Sequence, residues 1–279
     1  SRYLEKQKMN QDWIPVGALG DAFAADNNCL PPVDDLADTN LTLHFENGWV
    51  IRHHFITDRE LSWEILEGDA ALMLDTESYV ATRPRAGIYF VDFVKRSERA
   101  TSVSLVLMIE SGVFLAAICQ LPSREEASLS LLDRIDAKLE LTAVRADFIR
   151  GTINSERSPD RSFPAPTRDL VGKRIEYRYS ATELYEHLYL NERFYSWHCL
   201  EGSEVGLCDT DACHFFKLSE GLYFFVWREK VVPTLGVICI DLVAMKTTGK
   251  IFGYESNECS ATRNFPVGAY VRNVHVAAR

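Results

Sequence analysis

The feature that most constrains this chain is that it contains one unit twice. Under a shift of 134 residues, Ser62-Trp63-Glu64-Ile65-Leu66-Glu67-Gly68 falls on Ser196-Trp197-His198-Cys199-Leu200-Glu201-Gly202. The same shift places Asp75-Thr76 on Asp209-Thr210, Gly87-Ile88-Tyr89-Phe90 on Gly221-Leu222-Tyr223-Phe224, and His53 on His187. One ungapped offset that serves every match is the mark of a duplicated structural unit. The fold must therefore be one that about half of the 279 residues can complete.

Each copy alternates as half-buried strands do. Leu41, Leu43 and Phe45 share one face, Thr42, His44 and Glu46 the other, and Glu46-Asn47-Gly48 then signals a tight hairpin. The pattern predicts further strands over 50–56, 60–66, 87–95, 102–109 and 113–120. In the second copy it predicts strands over 175–179, 184–190, 194–200, 214–218, 222–228, 235–242 and 249–254. Sequential antiparallel strands with one apolar face close most simply into an up-and-down barrel, which also removes exposed edges. The expectation is an all-β chain of two tandem antiparallel barrels with a connecting helix. That helix spans 123–139: Ser123-Arg124-Glu125-Glu126 is a capping box, and Leu131, Leu132, Ile135 and Leu139 form a stripe expected to pack on a barrel. The domains read as an N-terminal surface segment, 1–35, that wraps the surface or covers a barrel mouth; a first barrel with the helix, 36–150; a linker, 151–168, containing Pro159, Pro164 and Pro166; and a second barrel, 169–279.

Charge narrows the function classes. Thirty basic against forty acidic residues give a net charge of −10, which disfavours nucleic acid. Lys95, Arg96 and Arg99, with Glu98 among them, read as a solvated loop. No run of apolar residues is long enough for a membrane span. The opening residues do not read as a secretion signal, and seven cysteines without a disulfide framework point to the cytoplasm. Cys208, Asp209, Asp211, Cys213 and His214 lack a second ligand pair for zinc and read as a polar loop. No phosphate loop, dinucleotide fingerprint or nucleophile elbow is present, so neither metal nor cofactor is expected. A homodimer is compatible with a duplicated barrel, though no residue identifies one.

Strand phase selects the candidate site. Glu176, Arg178 and Glu186 should face water because unpaired charges are costly to bury. Tyr177 and Tyr179 then face the interior of the second barrel, where the first copy has Leu43 and Phe45. Tyr185, His187 and Tyr189 join them, as do Trp197 and the face holding Tyr223, Phe225, Trp227 and Glu229. Either Glu229 or Arg228 must approach the interior; the repeat favours Glu229, whose counterpart is Lys95. Phenols, an imidazole and a carboxylate in an apolar barrel can bind a ligand and move protons. Core tyrosines satisfied by the backbone are the alternative. The candidate catalytic residues are Tyr177, Tyr179, Glu229 and His187; the candidate substrate-binding residues are Tyr185, Tyr189, Trp197, Tyr223, Phe225 and Trp227.

The runs Leu170-Val171-Gly172-Lys173-Arg174, Tyr185-Glu186-His187-Leu188-Tyr189-Leu190-Asn191 and Trp197-His198-Cys199-Leu200-Glu201-Gly202 resemble the molybdenum cofactor biosynthesis protein F (MoaF) family. So do 222–230 with Pro233-Thr234-Leu235-Gly236 and, in the first half, 89–95 and 100–107. The resemblance spans nearly the whole chain and implies lipocalin/calycin-like barrels. A more distant one is to phenolic acid decarboxylases, single cofactor-free barrels whose Tyr-x-Tyr and Trp-x-Glu elements are similar to Tyr177-Arg178-Tyr179 and Trp227-Arg228-Glu229. The family's arginine would fall near Gly206-Leu207, where this chain has none. Barrels of this kind in natural-product clusters also guide cyclisations.

Three functions follow as expectations. The first is a cofactor-free lyase or cyclase, such as a Diels-Alderase, acting on a hydrophobic aromatic, terpenoid or polyketide-like molecule in the second barrel. The second is a non-catalytic metabolite-binding protein associated with molybdenum cofactor biosynthesis. The third is a phenolic-acid-decarboxylase-like lyase. A scaffold packed solid would bind nothing.

Overall fold

The computed structural model describes residues 12–24, 27–156 and 162–276. Helix α1 (Val16–Ala24) precedes the first barrel, β1 (Thr39–Phe45), β2 (Val50–Phe55), β3 (Glu60–Glu67), β4 (Leu74–Arg85), β5 (Ile88–Val94), β6 (Thr101–Met108), β7 (Val113–Gln120) and β8 (Arg145–Ile153). These strands hydrogen-bond in sequence order, and β8 closes the circle by pairing Leu43 with Ile153 and Phe45 with Gly151. The two-residue β9 (Ala165–Pro166) lies on the outside of the second barrel against Phe216 and Lys217. That barrel holds β10 (Lys173–Arg178), β11 (Leu184–Tyr189), β12 (Phe194–Glu201), β13 (Cys208–Ser219), β14 (Leu222–Glu229), β15 (Thr234–Asp241), β16 (Lys246–Tyr254), β17 (Thr262–Val267) and β18 (Tyr270–Val276). Strands β17 and β18 are two halves of a bent strand: the first pairs with β16, and the second crosses to β10 and closes the barrel.

The duplication is visible in the element boundaries. The first five strands begin at 39, 50, 60, 74 and 88, and their counterparts at 173, 184, 194, 208 and 222, each 134 residues later. Strands β3 and β12 have the same alternation of exposed and buried positions. Strands β5–β7 and β14–β16 instead are buried on both faces, which explains their continuous apolar runs. Their inner faces fill the barrels. Their outer faces meet in one apolar layer between the barrels, where Val106, Leu115 and Ala117 pack with Phe224, Val226, Leu235 and Phe252. Several polar groups in this layer are paired, while Ser102 Oγ is buried without a hydrogen-bond partner among the described residues. Lys250 Nζ lies 2.8 Å from Asp92 Oδ1, which also accepts from Ser104 Oγ at 2.7 Å, while Asp92 Oδ2 accepts from Asn264. At the rim Arg85 donates to both carboxylate oxygens of Asp241.

Two sequence expectations need correction here. The helix expected over 123–139 is two short helices, α2 (Arg124–Ser128) and α3 (Leu131–Asp136). Ser130 interrupts it by forming a second capping box with Asp133, and Leu129 between them is extended. The apolar stripe does not pack on a barrel: Leu132 is 72% exposed and Ile135 54%. The inward face of α3 belongs to Arg134, which donates to the carbonyls of Glu140 and Thr142. In addition, strand β8 continues to Ile153, into the span assigned to the linker; residues 157–161 of that span lie outside the described residues, as do residues 1–11 of the N-terminal segment.

Helix α1 lies across one end of the second barrel. Phe23 contacts Tyr179 and Tyr185 at ring-centroid distances of 5.2 and 6.0 Å. Gly17 permits the approach: a Cβ there would stand 2.4 Å from the carbonyl oxygen of Glu255. No helix among the described residues is long and apolar enough to cross a membrane.

Candidate functional site

The period of two sets which side chains of the second barrel point inward, but Glu186, expected to face water, is buried on the outer face between Arg174 and His198. Tyr177 and Tyr179 on β10, Tyr185, His187 and Tyr189 on β11, Trp197 on β12, and Tyr223, Phe225 and Trp227 on β14 all belong to one buried core. Of Arg228 and Glu229, it is Glu229 that reaches the interior. Arg228 points into the opposite face and forms a bidentate pair with Glu140 at 2.7 and 3.0 Å. The expected site residues divide into two sets. Tyr179, Tyr185, His187, Trp197, Trp227 and Glu229 line a small cavity beneath α1. Tyr177, Tyr189 and Phe225 lie in the packed core outside it, and Tyr223 is tied to Asp169 through its hydroxyl.

Hydrogen bonds join the two sets. Tyr177 and Tyr189 share a 2.6 Å hydroxyl contact, and Tyr189 Oη lies 3.3 Å from His187 Nδ1. Burial lowers the His187 pKa to about 3, so its imidazole is neutral at neutral pH. Burial raises the phenols of Tyr177, Tyr179, Tyr185 and Tyr195, which stay protonated and can donate. Trp227 Nε1 donates to Glu229 at 2.9 Å, and Trp197 Nε1 to Asp211 at 2.9 Å. The Glu229 carboxyl is held well above the usual carboxylate range by burial first, then by the charges of Asp211 and Glu204. The Trp227 indole fits because Gly236 lies under it; a Cβ there would come within 2.0 Å of the ring.

Sequence reasoning missed Tyr195 and Glu204, which line the same cavity. Tyr195 could have been found, since it shares the inward face of Trp197. Glu204 sits between β12 and β13, where no periodicity operates. The zinc-like cluster is engaged otherwise: Asp209 and Asp211 pair with Lys230.

The second barrel is not the roomier one. Its cavity measures about 30 Å³, close to the space of one or two waters. The first barrel holds a cavity of about 230 Å³, because Leu43, Phe45 and Ile51 stand where the second copy has Tyr177, Tyr179 and Tyr185. Trp49, Trp63, Phe45 and Phe93 line it with aliphatic side chains. Its polar lining residues are Asn47, His53, Lys95 and Glu98. His53, 4% exposed and lowered by burial to a pKa of about 4, has no hydrogen-bond partner for Nδ1 among the described residues. Lys95 Nζ stands 4.8 Å above the Trp63 ring and pairs with Glu98 at the cavity edge. The basic cluster is the exposed loop it was read as over residues 96–99; Lys95 at its start is partly buried, and Arg99 donates to Tyr254.

Two fused antiparallel barrels with ligand-sized space in one interior define a tandem lipocalin-like protein. The chain belongs to the MoaF family: residues 11–123 match the MoaF N-terminal domain and residues 164–277 the MoaF C-terminal domain. It is 38% identical to Protein MoaF of Klebsiella aerogenes over 264 residues, which covers 95% of this chain and 96% of that protein. Among solved structures, one named as a "putative beta-lactamase from Burkholderia vietnamiensis" is 16% identical, with a TM-score of 0.32 over 42% of this chain and 98% of that one.

Proposed function

We propose that the protein binds a small ring-containing metabolite with an anionic group in its first barrel, in a molybdenum-cofactor-related role that MoaF family membership suggests. The carrying observation is the 230 Å³ cavity, an aromatic chamber with Lys95 at its edge and an unpartnered His53 nitrogen inside. Aromatic walls favour a planar ligand. Lys95 is available to its anionic group by exchange for the half-exposed Glu98. This site is concave, mostly apolar and supplied with few polar groups, as small-molecule sites are. With such a site the protein would act as a carrier or presenter.

Fluorescence titration tests this with 6-carboxypterin and neutral pterin as probes. A Trp197→Phe/Trp227→Phe background limits most of the signal to Trp49 and Trp63. Saturable quenching with preference for the carboxylate is expected, and Lys95→Met should weaken the carboxylate about tenfold, or 1.4 kcal/mol. Equal binding of both probes, or an unchanged Lys95→Met variant, would count against the anion-binding role of Lys95; a flat titration with both would overturn the binding reading.

A cofactor-free lyase or cyclase in the second barrel is the second reading. It is favoured by the Tyr179 and Tyr195 hydroxyls that face the cavity beside Glu229. With about 30 Å³ beneath α1, a terpenoid, polyketide or phenolic substrate enters only if α1 moves aside. Turnover of such a substrate that is lost in Glu229→Gln, with folding intact, would support it.

A further inference from the structure

Glu204 and Glu229 both reach the second-barrel cavity, and among the described residues neither forms an ion pair. Glu229 accepts from the Trp227 indole at 2.9 Å and Glu204 from the Tyr185 hydroxyl at 3.0 Å. Lys230 does not serve them, since it stands 2.6 Å from Asp209 and 3.4 Å from Asp211. Among the described residues, the groups facing Glu229 add no positive charge either. They are Asp209 and Asp211 from β13, Glu204, the hydroxyls of Tyr179 and Tyr195, and the neutral His187.

A second observation points to a guest. Tyr179 and Tyr195 are only 3% and 1% exposed, yet their hydroxyls line this cavity without a hydrogen-bond partner among the described residues. The remaining wall is aromatic, from Phe23, Tyr185, Trp197 and Trp227. Among the described residues, phenol oxygens without a hydrogen-bond partner, two carboxyl groups without an ion pair and aromatic faces together form a chamber suited to a cation that donates hydrogen bonds. A primary ammonium has that chemistry: three N–H donors and a charge that aromatic faces attract. The size agrees, because about 30 Å³ admits an ammonium head and little more.

We propose that the second barrel is a site for a protonated primary amine, held between Glu204 and Glu229, hydrogen-bonded by Tyr195 and enclosed by α1. The site is separate from the first-barrel cavity, so either can fail while the other stands. Amine and anion sites within one chain would suit a protein that handles two reactants, or two ends of a reaction.

Calorimetric titration of the full chain with methylammonium chloride, against potassium chloride at equal ionic strength, tests the proposal. Expected is saturable methylammonium binding with proton release into buffer, stronger at pH 8 than at pH 6 because the carboxyls must ionise. Glu229→Gln and Glu204→Gln should each weaken it at least tenfold. Tyr195→Phe, which removes a single oxygen and leaves the aromatic packing, should weaken it too and guards against misfolded glutamine variants. No saturable methylammonium binding, an equal response to potassium, or unchanged affinity in all three variants would overturn it.

Discussion

At the scale of single residues, the two barrels differ in how they use equivalent positions. Position 95 carries a lysine over Trp63, and its counterpart 229 a carboxylate beside Trp227. Leu43 and Phe45 leave space, whereas Tyr177 and Tyr179 fill it. The phase of the strands made the inward set readable, because reversing it would have buried Glu176 and Arg178. What the phase could not supply was volume: it tells which face a tyrosine occupies, not whether its neighbours leave a gap. Glu229 gives a prediction at this scale. A carboxyl whose folded pKa lies above its unfolded value binds more protons in the folded state, so it costs stability once pH exceeds the unfolded pKa near 4.5. Glu229→Gln should therefore raise the thermal midpoint at pH 8, with a smaller gain at pH 5. Thermal denaturation of both proteins at the two pH values checks this; a loss at pH 8 would mean that the carboxylate is compensated.

At the scale of elements, α1 distinguishes the halves. It closes the second barrel, and the buried ring of Phe23 is its anchor. Truncating a buried phenylalanine costs on the order of 3 kcal/mol. Phe23→Ala should lower stability by about that amount and increase acrylamide quenching of Trp197 and Trp227; unchanged quenching would show that α1 is not what shields them. Of the strands that escaped sequence reading, β4, β8, β17 and β18 among them, two are instructive. β8 and β18, the closing strands, read as Arg-Ala-Asp-Phe-Ile-Arg and Tyr-Val-Arg-Asn-Val-His, too polar for a clean alternation. Their place is fixed by partners far along the chain. The expected single helix failed for a local reason that was present in the sequence, a second capping serine at 130. Gly236 illustrates a steric requirement invisible to periodicity: Gly236→Ala should push the Trp227 indole off Glu229 and destabilise the barrel by more than 2 kcal/mol, measurable by denaturant unfolding.

At the scale of the whole molecule, the repeat announced two units, and the long apolar runs of β5–β7 and β14–β16 were the unread sign of how they join. Alternation is lost where both faces are covered, so the runs encode the contact between barrels. The buried Asp92–Lys250 pair crosses this contact. Lys250→Met would leave Asp92 without its cation, at a cost of about 3 kcal/mol, while Lys250→Met/Asp92→Leu should recover most of it. Thermal unfolding of the two variants decides; equal losses would place the energy in packing rather than charge.

The shared layer also bears on how such a chain could arise. The strands that meet in it are equivalent members of the two copies, so the halves face each other much as two identical subunits would. A lone ancestral barrel with this greasy flank would have needed a twin to cover it. Holding both barrels in one chain makes that partnership permanent and lets the copies differ: one fills its interior while the other keeps it open.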